Sequence, residues 1–414
     1  MSGGSRLRYL LGTSKATLAV VPMLVAFGYA TLPSLATWRG DGWWGLNHLS
    51  QAVPVAVVLT AFVAGWDAGA PSSGARALRD RVPAAGWRVH LTLLALPMAA
   101  ATVPYLLGLG TLVVATATAD GVVAPSAGLV VLAHLAMLAL AASAGVGAGW
   151  LLTSPYAAVT ATAGVAALLF WTLPGGGSLF AFPGTSGPVA EQVAPFSRYG
   201  VAALGLVLAA VLLALPALSR TAGRAVVLAS LAAALGALGA SSLAVSPELY
   251  AASGERPGRC LTTSVTVCVY PGYDRLLEPA GNELERFLAH AEERGVPRSA
   301  FPTRYEQGGN QRTPPGVGEL FVGARSLRER ALDADAVAQS VAAPLWCAEM
   351  FADSPPLGLL GRSGLVHDWA LGIEGVLPPE QFLELHPDQR GRSPAQVAAD
   401  VRAALAETRA CTNT

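Results

Sequence analysis

Ala222–Ser246, AGRAVVLASLAAALGALGASSLAVS, is the last long apolar run of the chain, and the reading of everything else turns on it. Upstream, apolar runs follow one another with short interruptions. Downstream lie 22 of the 27 acidic residues and all four cysteines. Hydrophobic residues make up 53% of the 414 positions and charged residues 13%, about half the ~25% charge of ordinary soluble domains, which is a membrane protein's composition. The environment of the last third therefore depends on the side of the membrane where this run ends.

The zero net charge hides an asymmetry. Residues 1–245 carry 11 basic and 5 acidic side chains, and residues 246–414 carry 16 and 22, so +6 and −6 cancel. Neither part has the basic excess of a nucleic-acid binder, which excludes nucleic acid as a partner.

Crossing ~30 Å of hydrocarbon takes about 20 helical residues. Seven runs qualify as candidates: 16–36, 50–66, 89–117, 126–150, 156–173, 199–218 and 223–245. Each must be helical, because unpaired backbone in lipid is too costly. The first follows Arg6, Arg8 and Lys15 as a signal peptide would, but six more runs come after it, so it reads as a signal anchor. With the N-terminus inside, the inner segments hold Arg6, Arg8, Lys15, Arg76, Arg79, Arg81, Arg88, Arg220 and Arg224, and the outer loops hold only Arg39 and Arg198. Cytoplasmic loops carry the excess of Arg and Lys, so this bias sets the orientation. Seven crossings then put residues 246–414 outside. The parity rests on runs four and five being separate spans, since the loop 150–155 carries no charge.

Within the runs, 89–117 is longer than the bilayer needs and contains Pro97, Pro104, Gly108 and Gly110, so a kink or break is expected. Gly145-x-x-x-Gly149 and Gly236-x-x-x-Ala240 have the small-residue spacing of close helix contacts. Trp38, Trp43 and Trp44, with Trp66, Trp87, Trp150 and Trp171, read as an interfacial belt rather than a ligand-contacting cluster. Intramembrane ionisable groups mark transport chemistry, and here there is little. His134 lies inside a run and reads as a hydrogen-bonded interior residue, while His90 and Asp67 sit at run ends. The Gly/Pro-rich loop 174–198 is long enough to cover the bundle or touch the C-terminal domain.

The last third reads as a polar linker, 246–259, and a compact α/β domain, 260–414. Alternation at Val265, Val267 and Val269 predicts a strand, closed by the turn Pro271-Gly272. A helix over about Pro279–Arg294 follows, with Leu284, Phe287, Leu288 and Ala291 on its buried face. Gly318–Gly323 reads as a second strand. Ser326-x-x-Glu329 matches a capping box, Asp333 caps a helix through Val341, and residues 345–386 read as irregular to helical. Ser393-Pro-Ala-Gln396 opens a final helix.

An even number of cysteines outside the cytoplasm implies disulfides. Of the three pairings that four cysteines allow, Cys260–Cys268 with Cys347–Cys411 is preferred. The first requires a hairpin at Thr262–Ser264, because one straight strand would hold those two cysteines ~26 Å apart. The spacing suits no zinc site. HExxH, GxSxG and GxxxxGK[ST] are all absent, so no zinc peptidase, nucleophile-elbow hydrolase or P-loop ATPase is written here. His367-Asp368, Glu374, His386 and Asp388 lie close in sequence, and scattered surface residues are the commoner origin of such a group. No catalytic residue, cofactor or metal is expected.

At Cys260–Phe287, CLTTSVTVCVYPGYDRLLEPAGNELERF, the chain resembles a group of actinobacterial ABC-transporter permease-like multi-pass membrane proteins. They end in an extracytoplasmic domain that opens with a Cys, continues as VCV-x-Pro, and leads into an amphipathic helix. Here the motif reads Val267-Cys268-Val269-Tyr270-Pro271, with Tyr270 where relatives carry His. The resemblance implies a cytoplasmic ATPase partner, for which Arg76, Arg79, Arg81 and Arg88 form a docking candidate.

The expectation is an α-helical polytopic membrane bundle of about seven transmembrane helices in residues 1–245, followed by a small extracytoplasmic α/β domain. It would be the permease-like subunit of an ABC-type export system in the plasma membrane. The alternative is a membrane-anchored binding, immunity or scaffold protein without transport. Expected partners are membrane lipids, the ATPase subunit and, in a homodimer, a second copy of the chain.

Overall fold

In the first half, apolar runs wind into helices because a backbone away from water finds hydrogen-bond partners only in itself. The computed structural model describes residues 14–39, 41–69, 86–119, 121, 123, 125–152, 154, 156–170, 192–218, 224–246, 248–249, 251–252, 256–308, 314, 316–342 and 357–410. The helices are α1 (Ala16–Thr31), α2 (Leu35–Trp38), α3 (Gly42–Ser50), α4 (Val53–Gly69), α5 (Gly86–Thr118), α6 (Ala127–Leu152), α7 (Tyr156–Phe170), α8 (Phe196–Leu218) and α9 (Arg224–Ala244). Among the described residues, four are long and apolar enough to cross a membrane: α5 from Leu91, α6, α8 to Pro216, and α9 from Ala225. The pair α3 and α4, bent by 41°, makes a fifth if it counts as one span, and α1 and α7 are shorter apolar helices.

Helix α6 is the centre of the bundle, packed on α4, α7 and α8, with α9 leaning on α8 and α1 on α4 and α5. The α4–α6 seam is a backbone contact. A Cβ on Gly145 would sit 2.6 Å from the Ala61 carbonyl oxygen, and one on Gly149 2.4 Å from Ala68 Cβ. Gly65 presses equally closely on the backbone of Ala157 and Ala158 in α7. Of the two small-residue pairs in the sequence, Gly145/Gly149 thus makes a contact, while Gly236 has nothing within 4 Å. Of the kink or break expected there, no break occurs: helix α5 stays continuous through Pro97 and Pro104. Each proline removes one donor from the ladder, but unwinding in apolar surroundings would strand several more.

The C-terminal domain begins with β3 (Arg259–Thr262) and β4 (Thr266–Val269), a hairpin that faces Cys260 with Cys268. Helix α10 (Leu277–Glu293) crosses to β5 (Arg304–Gln307), and β6 (Gly318–Leu320) completes a sheet of order β3-β4-β5-β6. The first pairing is antiparallel and the other two parallel. Then come α11 (Ala324–Glu329), α12 (Ala334–Ala342), α13 (Leu357–Ile373), α14 (Pro379–Leu385) and α15 (Pro394–Ala410). The core lies between the sheet, α10, α12, α13 and α15. Phe287 meets Phe301 and Trp369 edge-on, with ring centroids 5.7 and 6.3 Å apart. Gly295, at φ +87°, ends α10 in the left-handed conformation that glycine adopts without steric cost.

Several local expectations need adjusting. Helix α10 starts at Leu277 out of a 3₁₀ turn, Asp274–Leu276, so Pro279 is its third residue and Glu278 lies inside it. Ser326 is inside α11, which Gly323 precedes, so no capping box forms there. Strand β5 has no apolar alternation to announce it; Tyr305, Glu306 and Gln307 are all buried. By contrast, Asp333 does cap α12, accepting from the Ala336 N–H at 2.8 Å. Ser393 and Gln396 exchange the reciprocal bonds of a capping box at the start of α15.

Candidate functional site at the junction of bundle and domain

The chain folds so that one end of the helical bundle meets the C-terminal domain. After α1, the segment through α2 turns back and re-enters as α3, because Asp41 caps that helix. Its Oδ1 accepts from the Trp43 and Trp44 N–H groups at 2.9 and 3.0 Å, the favoured N-cap arrangement. The re-entry carries Trp38, Trp43 and Trp44 into the packed interior, where all three are buried. Trp38 donates through Nε1 to the Thr31 carbonyl at 3.1 Å and lies against Gly45. These three therefore form the floor of the junction, not an interfacial belt. Trp87 and Trp171 fall outside the described side chains, and Trp66 and Trp150 are half-buried.

The second oxygen of Asp41 is the latch. Oδ2 accepts from the Tyr273 hydroxyl at 2.6 Å, across 232 positions of sequence. Tyr273 is aimed there by the turn after β4, in which Gly272 takes φ +89° and the Tyr273 N–H returns to the Tyr270 carbonyl. Both partners are buried, Asp41 at 5% exposure and Tyr273 at 4%. In such surroundings, shielded from water, a hydrogen bond is electrostatically stronger than one in solvent. Next to it, Arg275 Nη1 donates to the Ala119 carbonyl beyond the end of α5. Helix α11 packs on α2. The strand β1 (Gln192–Val193) pairs with β2 (Ala251–Ala252), so the end of the long loop before α8 touches the linker. Arg198 ties the start of α8 to the end of α9 by donating to the Ser246 carbonyl at 2.8 Å.

At the far end of the bundle, the Lys15 N–H donates to Asp67 Oδ1 at 3.0 Å and the Ser14 hydroxyl bonds Oδ2 of the same carboxylate. The α3–α4 pair thus carries a buried Asp near each end, Asp41 before α3 and Asp67 in the last turn of α4. One joins the C-terminal domain and the other the segment before α1. Mid-bundle, Tyr105 and His134 share a hydrogen bond of 3.0 Å, so His134 is the satisfied interior residue expected.

Cys260 and Cys268 form a disulfide across the β3–β4 hairpin, with Cα atoms 4.1 Å apart. The turn falls between Thr262 and Thr266, as that pairing requires. Cys347 and Cys411 lie outside the described residues, as do Arg76, Arg79 and Arg81. Arg88 falls in the first turn of α5, and its side chain is outside the described set too. Of the polar residues grouped in the sequence, three come together. Asp368 accepts from His367 and from His386 at 3.0 and 2.9 Å, and His367 reaches Asp335 at 3.3 Å. Asp335, on α12, has no sequence signal linking it to them. Glu374 instead pairs with Arg286 of α10 at 2.9 Å, and Asp388 holds Gln389. Each imidazole is hydrogen-bonded to at least one carboxylate, and no metal-holding group of three occurs among the described residues. The cluster fastens α12, α13 and the turn after α14 together.

Fold and site define a class: a mostly helical protein with several membrane-length apolar helices, carrying a small mixed-sheet domain latched to one end of the bundle. No family model matches the chain, and neither the curated proteins nor the solved structures include a detectable match.

Proposed function

We propose that the chain is the permease-like membrane subunit of an ABC-type export system, working with a separate cytoplasmic ATPase. The observation that carries this reading is the α3–α4 pair. It is tied by Asp41 to Tyr273 of the C-terminal domain, and by Asp67 to the N-terminal segment at the opposite end. Such an element links one face of the bundle to the other, a connection an ATP-driven exporter needs. Helix α4 also runs directly into the segment that holds Arg76, Arg79 and Arg81.

In this reading all seven runs cross the membrane, with the N-terminus inside and residues 246–414 outside. The shorter helices α1 and α7 are accommodated by local thinning of the bilayer, and the cationic bias of the inner segments supplies the orientation. The Cys260–Cys268 bond supports an oxidising compartment for the domain. The resemblance at Cys260–Phe287 supports the ATPase partner.

The test is purification of the full chain from its native membranes in a mild detergent. An ATPase subunit is expected to copurify. Reversing Arg76, Arg79, Arg81 and Arg88 to Glu should release it. A protein that purifies alone and stimulates no ATP hydrolysis would sink the proposal. The α4–α6–α7 glycine seam, with backbones in contact, favours a second reading: a rigid membrane-anchored scaffold whose work lies in the external domain. Export activity that survives deletion of residues 260–414 would count against that reading.

A further inference from the structure

The two ends of the Cys260–Cys268 bond differ in access and in charge. Strand β3 is an edge of the four-stranded sheet, and β4 lies inside it between β3 and β5. Cys260 stands opposite Cys268 across the first pair of strands, and Cys268 stands opposite Glu306 across the second. The three residues therefore form a row on one face of the sheet, on strands about 4.8 Å apart. Cys260 is exposed, Cys268 is fully buried and Glu306 is buried. Arg304, two residues before Glu306 and so on the same face, bridges the ends of the row. Its Nη2 lies 4.0 Å from Cys260 Sγ, and its Nε donates to Glu306 Oε1 at 2.8 Å.

Thiol–disulfide exchange proceeds by attack of a thiolate on one sulfur, with the other sulfur leaving. The attacking group comes in along the line of the S–S bond. Extended beyond Cys260, that line leaves the sheet at its edge, where no further strand pairs with β3 among the described residues. Extended beyond Cys268, it runs towards β5, and Cys268 has no exposed surface. Cys260 is thus the sulfur that a thiolate can reach. Charge agrees with access. A cationic neighbour favours a thiolate, and Arg304 sits beside the sulfur that must carry that charge. Burial and an adjacent carboxylate disfavour a thiolate, so Cys268 leaves as a neutral thiol, and Glu306 is the group placed to hand it a proton. A crosslink that only closes the hairpin requires neither group.

We propose that Cys260–Cys268 is a redox-active disulfide that oxidises an external dithiol, with Cys260 as the sulfur attacked, Arg304 as the support of its thiolate and Glu306 as the proton relay to Cys268. A substrate thiolate bonds to Cys260 Sγ, and the Cys260–Cys268 bond breaks. Its electron pair goes to Cys268, which takes up a proton through Glu306. The second substrate thiolate attacks the substrate sulfur of the mixed disulfide. Cys260 then leaves as a thiolate beside Arg304, and the substrate departs as a disulfide. Two electrons pass from the dithiol to the cysteine pair, one of its protons to Cys268 and the other to solvent. A low-molecular-weight disulfide restores the pair by the reverse exchange. The site lies wholly in the C-terminal domain and does not depend on the ATPase reading.

The test uses the full chain with Cys347→Ser and Cys411→Ser, in detergent without denaturant. After reaction with reduced glutathione, acid quenching and alkylation, peptide mass spectrometry should find glutathione on Cys260 and the alkyl group on Cys268. Dithiothreitol should complete the reduction with the domain still resistant to proteolysis, and oxidised glutathione should reverse it. In Cys268→Ser, the reaction of Cys260 with iodoacetamide should rise with pH at a midpoint about one pH unit or more below the ~8.5 of an ordinary thiol. Adding Arg304→Met should return that midpoint to about 8.5, and Arg304→Lys should keep most of the decrease. With both cysteines present, Glu306→Gln should slow reduction by glutathione about tenfold or more without moving the attacked sulfur. Reduction that requires denaturant, glutathione found on Cys268, a Cys260 midpoint that is ordinary or ignores Arg304→Met, or an unchanged rate in Glu306→Gln would each overturn the assignment.

Discussion

The helical bundle and the C-terminal domain hold their shape by opposite means. In the bundle, side chains are removed so that backbones can touch: Gly65, Gly145 and Gly149 sit where any Cβ would collide with a neighbouring helix. In the domain, side chains fill the space, with Phe287, Phe301, Trp369 and Tyr305 packed beneath a four-stranded sheet. With the bundle in a membrane, as proposed, the contrast follows from the solvent. Lipid gives apolar side chains no reason to leave it, so helices gain by dispersion at close approach. Water expels aromatic surface, so a small domain gains by burying it.

The largest test of this contrast is in the domain. Phe287→Ala should destabilise it by about 3–5 kcal/mol, read by chemical denaturation of the purified protein, with the bundle's helical signal retained. Removing the Cys260–Cys268 crosslink by a double substitution to Ser should cost about 2–3 kcal/mol by loop-closure entropy, again seen only in the domain's transition.

In the bundle, insertion should do the damage that deletion does in the domain. Gly145→Leu should cost about 1–3 kcal/mol, or more if the backbone cannot give, and appear as loss of the monodisperse detergent-solubilised protein. Gly236→Leu, facing open space, should lie within about 0.5 kcal/mol of the parent. Equal penalties at the two glycines would break the account of the seam. At the junction, Tyr273→Phe removes the bond to Asp41 Oδ2 and should cost about 0.5–1.5 kcal/mol, measured as earlier proteolytic release of the domain.

The smallest effect concerns Glu285. The Ser264 hydroxyl and N–H, and the Thr263 hydroxyl, hold its carboxyl below the usual glutamate range. A carboxylate favoured in the folded state contributes stability above its unfolded pKa and loses it as pH falls through the folded one. Hydrogen exchange at the Ser264 amide, bonded to Glu285 at 2.8 Å, should therefore keep its protection at mildly acidic pH and lose it only in stronger acid. The variant Glu285→Gln should flatten that profile.

What could be read from the sequence was local. The apolar runs located the helices, because lipid-facing helices need little beyond length and apolarity. The Cys260–Cys268 hairpin, the Asp333 cap and the Ser393/Gln396 box each lie within nine residues and obey short-range geometry. The junction did not announce itself. Asp41 and Tyr273 are 232 positions apart, and nothing in DGWWG distinguishes a cap inside a junction from a loop at an interface. Strand β5 was equally silent, since its buried Glu306 and Gln307 satisfy no apolar period. The same holds for Asp335 beside His367, a contact made only when α12 packs on α13.

We propose that the C-terminal domain, latched by Asp41 and Tyr273 to the bundle, sits outside, with the cationic end of the bundle inside. That placement is tested most directly by thiol labelling of intact cells with a membrane-impermeant reagent, in a Cys347→Ser/Cys411→Ser background. Cys260 is exposed while Cys268 is buried, so Cys260 should label in whole cells after an external reductant and not before it. Labelling that appears only after lysis, or without reductant, would contradict the account.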